Sequence, residues 1–381
     1  MKCLLGLGPG FVVLLGCSPA AADCQVRGAE STSMLSPQID VHCRVTFRLH
    51  EPNATAVEVV IAQSPSQARR NLGTRTVSMR KAAGQWTVTT DPLTPDIYSY
   101  QFRVDGKTLN DPANPSYIEE LGDTRTSTFS VPGALWTTTG APAGRMTQHT
   151  YNSRVIGGLE TYTVYVPPGY DLRPAAMYPT LYLLHGAGDT ARTWITNGGV
   201  DVTLNNLISQ AKATPMVVVM PLGYGATDGV LRLPNFENAL LNELIPQVET
   251  QYRVSHEATA RAIAGVSMGG AEALSIGLRH PERFAWVGLF SAAAFPGMSA
   301  ANLWTDPMTT SLEPKRFALV YINCGADDSI LAPYNRQLAA ELKARGFRVT
   351  STEVAGMGHV WPLWRRAIAD YLPLLFQPAA R

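Results

Sequence analysis

The sequence predicts an α/β fold, a mostly parallel sheet covered by helices on both faces, preceded by a small all-β sandwich. Three observations carry that expectation. Between Pro37 and Val131 short runs alternate apolar and polar residues, with no helical spacing among them. After Asn152 near-continuous apolar runs alternate with helically spaced segments, and one such run ends in the tight turn Gly265-Val-Ser267-Met-Gly269. Of the 381 residues 45% are hydrophobic and 16% charged, enough apolar material for a real core and too little charge for disorder. The 31 basic and 30 acidic residues leave a net charge of +1, so a nucleic acid is not an expected partner.

Taken in order, the chain opens with Met1-Lys2, an apolar stretch over residues 3–15 and small residues up to Ala22. That is the pattern of an export signal over residues 1–22, too short to span a bilayer. Two processing readings stand side by side: cleavage after Ala20-Ala21-Ala22, or lipidation of Cys17 in Leu14-Leu15-Gly16-Cys17, which resembles a lipoprotein box. The mature protein is expected to be secreted or periplasmic, and in the second reading lipid-anchored to the bacterial outer membrane. In an oxidising compartment Cys24 and Cys43 are the close pair expected to form a disulfide. Cys324, inside the apolar run 317–324, reads as an inert core thiol. No Cys-x-x-Cys or His-Glu-x-x-His spacing occurs, so neither a metal nor a cofactor is expected.

Residues 23–132 hold the sandwich, with strands at 41–49, 56–61, 85–89 and 98–104 and turn signals at Asp105-Gly106 and Asp111-Pro112. The small-residue stretch 133–148 reads as a linker. Residues 149–381 then carry strands at 162–166, 180–184, 216–220, 261–264, 285–290, 317–323 and 349–354. Helical spacing lies between them, for example Leu240, Leu241, Leu244, Ile245 and Val248, in a helix that Pro246 is expected to bend.

The chemistry concentrates at four places. Gly265-Val-Ser267-Met-Gly269-Gly270 follows an apolar strand and opens a helix. Small residues on both sides let a strained turn expose a serine hydroxyl at the helix N-terminus, so Ser267 is the candidate nucleophile. Serine is a weak nucleophile at neutral pH and needs a base. His359, in Gly356-Met-Gly-His359-Val-Trp361 between the last strand and the last helix, stands where the chain order serine, acid, histidine places it. The acid is expected on the strand-end loop Gly325-Ala-Asp327-Asp328, and neighbouring side chains on an extended segment point apart, so only one of the two aspartates reaches His359. The run Leu184-His-Gly186-Ala187-Gly188 ends another strand, and the Ala187 and Met268 N–H groups are the candidate oxyanion donors. Trp194, beyond that loop, and Trp361, two residues past His359, are expected to border the substrate cleft, where flat side chains suit an aromatic acyl group or a sugar face.

The C-terminal part, over residues 151–376, resembles the esterase D-like superfamily of α/β-hydrolases. That group contains carbohydrate esterase family 1, enterochelin-type esterases and mycolyltransferases. The resemblance runs through Tyr165-Val-Pro-Pro-Gly-Tyr170, Leu184-His-Gly-Ala-Gly188, Ile263-Ala-Gly-Val-Ser-Met-Gly-Gly270, Cys324-Gly-Ala-Asp-Asp328 and Gly358-His-Val-Trp361. Val360 departs from the threonine that members often carry after the histidine. In the superfamily the acid sits three residues after the strand-end glycine, which from Gly325 is Asp328. The N-terminal part is similar to early-set immunoglobulin-like modules, including family 48 carbohydrate-binding modules, through Gly84-Gln85-Trp86, the run from Pro95 to Gly106 and Asp111-Pro-Ala-Asn-Pro115. Its loop at 63–72 carries no aromatic residue to stack on a sugar. The resemblance implies an exported serine carboxylesterase acting on feruloyl or acetyl esters of plant cell-wall polysaccharides. A siderophore trilactone esterase of the enterochelin type is the second reading, against which the export signal counts. A catalytically inactive carbohydrate-binding protein is the third, against which the apparently complete Ser267, Asp328 and His359 set counts.

Overall fold

In the computed structural model the described residues are 36–65, 67, 73–122, 124–294 and 312–377; residues 1–22, expected to be an export signal, with Cys17 and Cys24, lie outside them. The N-terminal part is all-β. One sheet has the order β1 (Gln38–Ile39), β2 (Val45–His50), β6 (Gln85–Thr89), β5 (Arg80–Ala82). The other has the order β4 (Arg75–Ser78), β3 (Val57–Ala62), β7 (Ile97–Val104), β10 (Thr124–Ser130), β9 (Tyr117–Glu120), with β8 (Lys107–Leu109) on the free end of β7. Alternation decides which side chains meet. Val45, Phe47 and Leu49 of β2 face Val57, Val59 and Ile61 of β3 and Tyr100 and Phe102 of β7 in one core. Asp105 and Gly106 both take positive φ, and their tight turn joins β7 to β8 as the dipeptide predicts. Cys43 is disulfide-bonded; its expected partner, Cys24, lies outside the described residues.

The C-terminal part is built on an eight-stranded sheet in the order β11 (Arg145–Ser153), β12 (Gly158–Val166), β14 (Val217–Pro221), β13 (Thr180–Leu184), β15 (Arg261–Val266), β16 (Trp286–Phe290), β17 (Leu319–Gly325), β18 (Val349–Val354). The β11–β12 and β12–β14 pairings are antiparallel and the rest parallel. All seven strands read from the sequence are present, and β11 is an addition. Its first residues, with the polar Arg145, Thr147 and Gln148, read as part of the linker until their pairing with β12 is seen. The linker is not a free tether either. The Leu135 and Thr138 carbonyls accept from the Asn206 side chain, and the Trp136 indole donates to Asp96.

The α-helices of the C-terminal part, among the described residues, are α1 (Thr193–Thr196), α2 (Val200–Ser209), α3 (Leu233–Ala239), α4 (Ile245–Gln251), α5 (Met268–Arg279), α6 (Leu331–Ala344) and α7 (Trp361–Tyr371). Along β13 Tyr182 and Leu184 join the core under α3 to α6, while Leu181 and Leu183 join the core under α2 and α7. Both faces are therefore covered, which is why these strands read as unbroken apolar runs. The bend expected at Pro246 takes the form of a π turn over Leu240–Leu244 between α3 and α4, where the Ile245 N–H reaches back to the Leu240 carbonyl. The missing proline N–H and the ring's bulk disfavour regular α spacing there.

Candidate active site

Four strand ends build the site. At the end of β15 Ser267 takes φ 54° and ψ −112°, a conformation a non-glycine residue adopts only when its surroundings hold it. The Ser267 N–H donates to the Phe290 carbonyl at 2.9 Å, and its own carbonyl accepts from Ala271 and Ala293. The flanking glycines are needed for space: a side chain at Gly265 would run into the Gly269 backbone, and one at Gly269 into the His185 carbonyl.

His359 lies on the loop between β18 and α7. Its Nδ1–H donates to Asp328 Oδ2 at 2.9 Å, and its Nε2 accepts from Ser267 Oγ at 3.0 Å. The carboxylate fixes the tautomer, because an acceptor facing Nδ1 places the proton there and leaves Nε2 free to take the serine proton. Asp328 is buried, and its Oδ1 accepts the Leu331 N–H at 3.0 Å, which ties it to the start of α6. Asp327 points to solvent, its N–H bonded to the Met357 carbonyl. Gly325 allows this approach, since any side chain there would collide with the backbone of Met357 and Gly358.

Ala187 follows β13 on a loop packed against the serine turn. The Gly186 carbonyl, in the same peptide unit as the Ala187 N–H, accepts from His185 Nδ1 at 2.8 Å and from the Asp189 N–H at 3.2 Å. His185 Nε2 in turn accepts the Gly223 N–H at 3.0 Å, so the ring is neutral with its proton on Nδ1; burial lowers its pKa to about 4. No hydrogen bond occupies the Ala187 N–H among the described residues, and Met268, the first residue of α5, has no preceding helical turn to bond.

Two expectations are corrected. Trp194 and Trp361 do not border a cleft. They are 1% and 2% exposed and pack edge to face against each other at 5.3 Å, and the Trp194 indole N–H donates to the Leu184 carbonyl. Both lie in the core beneath the site because α1 and α7 turn their apolar faces to the sheet. Trp361→Ala is accordingly expected to lower stability by about 3–5 kcal/mol with KM for a small ester unchanged, as thermal unfolding and steady-state kinetics would show. Among the described residues the aromatic side chain that meets His359 is Trp364, edge-on at 4.8 Å, with its indole N–H donating to Ser291 Oγ at 3.0 Å. The other histidines have local roles: His149 bonds the Tyr252 hydroxyl and His280 pairs with Glu237. Cys324 is free and buried, and burial raises its thiol to about 11, as fits an inert core residue.

One feature the sequence does not announce is Glu272. It occupies a buried position on α5, neither carboxyl oxygen has a hydrogen-bond partner among the described residues, and burial raises its pKa well above the carboxylate range. A carboxyl protonated in the folded chain but ionised near its ordinary 4.5 in the unfolded one contributes stability that is full below that pH and falls as pH rises above it. Relative to Glu272→Gln, the natural chain should lose up to about 1.4 kcal/mol per pH unit above about pH 4.5 until Glu272 itself ionises. Denaturant midpoints across that range would show it, and parallel profiles for the two proteins would refute it.

A mixed sheet of this order, with serine, acid and histidine after β15, β17 and β18, belongs to the esterase class of α/β-hydrolase folds. The family model described as "Putative esterase" matches residues 153–375, and the chain belongs to that family. It is 30% identical over 359 residues to an endo-1,4-beta-xylanase/feruloyl esterase of Xylanibacter ruminicola, an alignment covering 90% of this chain and 46% of that protein. The chain thus spans about half the length of that curated relative, and less of an endo-1,4-beta-xylanase Y of Acetivibrio thermocellus, of which it covers 23%. Among solved structures, a ferulic acid esterase matches 61% of this chain and 97% of its own at TM-score 0.53 and 26% identity. The enterobactin esterase of Shigella flexneri matches 88% and 94% at TM-score 0.63 and 21% identity, a likeness of fold that includes the N-terminal region. An esterase is named in three of these four relatives, the Acetivibrio thermocellus protein being named for xylanase activity alone.

Proposed function

We propose that the chain is a serine carboxylesterase working through an acyl-enzyme. The observation that carries this reading is the line of hydrogen bonds from Ser267 Oγ to His359 Nε2 at 3.0 Å and from His359 Nδ1 to Asp328 at 2.9 Å. Ser267 Oγ attacks the ester carbonyl as His359 Nε2 takes its proton. Asp328 stabilises the imidazolium, and the Ala187 and Met268 N–H groups receive the negative charge on the carbonyl oxygen. His359 then returns the proton to the departing alcohol, and a water repeats the sequence to release the acid. The substrates we assign are feruloyl or acetyl esters of plant cell-wall polysaccharides. Support comes from the xylanase and feruloyl esterase relatives and from the export signal read in residues 1–22, which carries the further proposal that the protein acts outside the cytoplasm, free or anchored through Cys17. The N-terminal all-β region is read as the early-set module its motifs resemble.

Turnover of p-nitrophenyl acetate tests the esterase reading, and its absence would favour a binding protein. A panel of methyl ferulate, acetylated xylan and enterobactin then tests the substrate. Preference for enterobactin would replace the cell-wall reading with the siderophore one.

A further inference from the structure

The N-terminal β region reaches the loop that carries Ala187. At the turn between β9 and β10 the Leu121 N–H donates to the Gly188 carbonyl at 2.9 Å. No other group among the described residues bonds that carbonyl. The Leu121 side chain, 39% exposed, sits against Gly229, where even a methyl group would lie 2.5 Å from its Cδ2. From the other side the Tyr224 hydroxyl accepts the Gly188 N–H at 2.8 Å and donates to the Asp189 carbonyl at 3.1 Å. Gly186 is held at both its N–H and its carbonyl, by Asp189, with His185 also on the carbonyl. Ala187 is therefore an unbonded N–H between two tethered glycines, and one tether comes from outside the catalytic part.

The two parts are also locked together at depth. Arg365 of α7, fully buried, donates to Asp96 at 2.7 Å and to the Asn197 and Gln63 carbonyls, while Gln63 and Trp136 also donate to Asp96. A buried charge pair that satisfied resists relative movement, because separating the partners would leave a desolvated charge alone. The turn is thus presented to the Ala187 loop from a rigid base.

We propose that this turn is a positioning element of the active site: Leu121, through its backbone N–H, holds the loop so that the Ala187 N–H points at the developing oxyanion. The inference rests on the esterase reading above. A donor displaced by a fraction of an ångström loses charge stabilisation in the transition state more than it loses affinity for the neutral ester, so the effect belongs in kcat.

The test uses the full chain with p-nitrophenyl acetate. Leu121→Pro removes the N–H, and Leu121→Ala keeps it. The proline variant should lose about tenfold or more in kcat with KM within about twofold, and should bind phenylboronic acid, whose serine adduct places an oxygen in the oxyanion position, more weakly in proportion. The alanine variant should stay near the natural rate. Unchanged kcat and boronate affinity in a folded Leu121→Pro would overturn the proposal. Should the proline variant not fold, replacing the Leu121 amide by an ester, with leucic acid incorporated at position 121, removes the same N–H without the proline ring and should lower kcat and boronate affinity in the same way. Unchanged values in that folded variant overturn the proposal as well. Failure of the natural chain to hydrolyse the ester, or full activity in Ser267→Ala, would instead remove the esterase reading and this inference with it.

Discussion

Ser267→Ala is expected to lower kcat for p-nitrophenyl acetate by about 10⁴-fold or more while leaving the melting temperature unchanged. The substitution removes only Oγ. The backbone bonds that hold the strained turn, from Ser267 N–H to Phe290 and from Ala271 and Ala293 to the Ser267 carbonyl, do not involve the side chain. Alanine has the same Cβ as serine, so the positive φ adds no new collision. What remains is stabilisation by the oxyanion donors and by binding, which without a nucleophile leaves a small residue of the rate. Rates from active-site-titrated enzyme, beside a thermal melt of both proteins, decide it. Retained turnover in a folded variant would remove the serine from the mechanism.

The second large effect separates two neighbouring carboxylates. Asp328→Asn is expected to cost up to about 10⁴-fold in kcat with little change in KM. Both oxygens of Asp328 are used as acceptors, one by His359 Nδ1–H and one by the Leu331 N–H. An amide has only one oxygen. If it faces Leu331, the NH₂ group faces His359 and drives the imidazole proton to Nε2, where it can no longer accept from serine; if it faces His359, the cap of α6 meets a donor instead of an acceptor. Asp327→Asn should leave kcat near normal, since that side chain points to solvent. The opposite pattern, collapse at 327 and activity at 328, would show that the wrong aspartate has been assigned.

Local rules sufficed for much of the architecture. The seven apolar strands, the two-part organisation and the serine turn each rest on neighbours in the chain: a run of Val, Ile and Leu that can be buried on both faces, or glycines that make room for a strained residue. The same holds for His359 and the adjacent aspartates, since chain order and strand-end position are one-dimensional facts. Local reasoning failed where an element's environment comes from far away. Strand β11 is polar and becomes a strand only by pairing with β12, and the tryptophans at 194 and 361 are aromatic in either setting. Whether such a ring lines a cleft or fills a core depends on which face α1 and α7 turn to the sheet, which no short window contains.

Chain order and local pattern account for the set of elements, their order, and the residue types that could meet: a serine on a turn, a histidine after the last strand, an aspartate between them. Which atoms meet came from the packing of distant segments. That packing turned Asp328 inward and Asp327 outward, buried Glu272, seated Trp364 against His359, and brought Leu121 to Gly188. The physical reason is range. Propensity, periodicity and turn chemistry act over a few residues, whereas a hydrogen bond between residues 121 and 188, or an ion pair between 96 and 365, depends on how whole sheets pack.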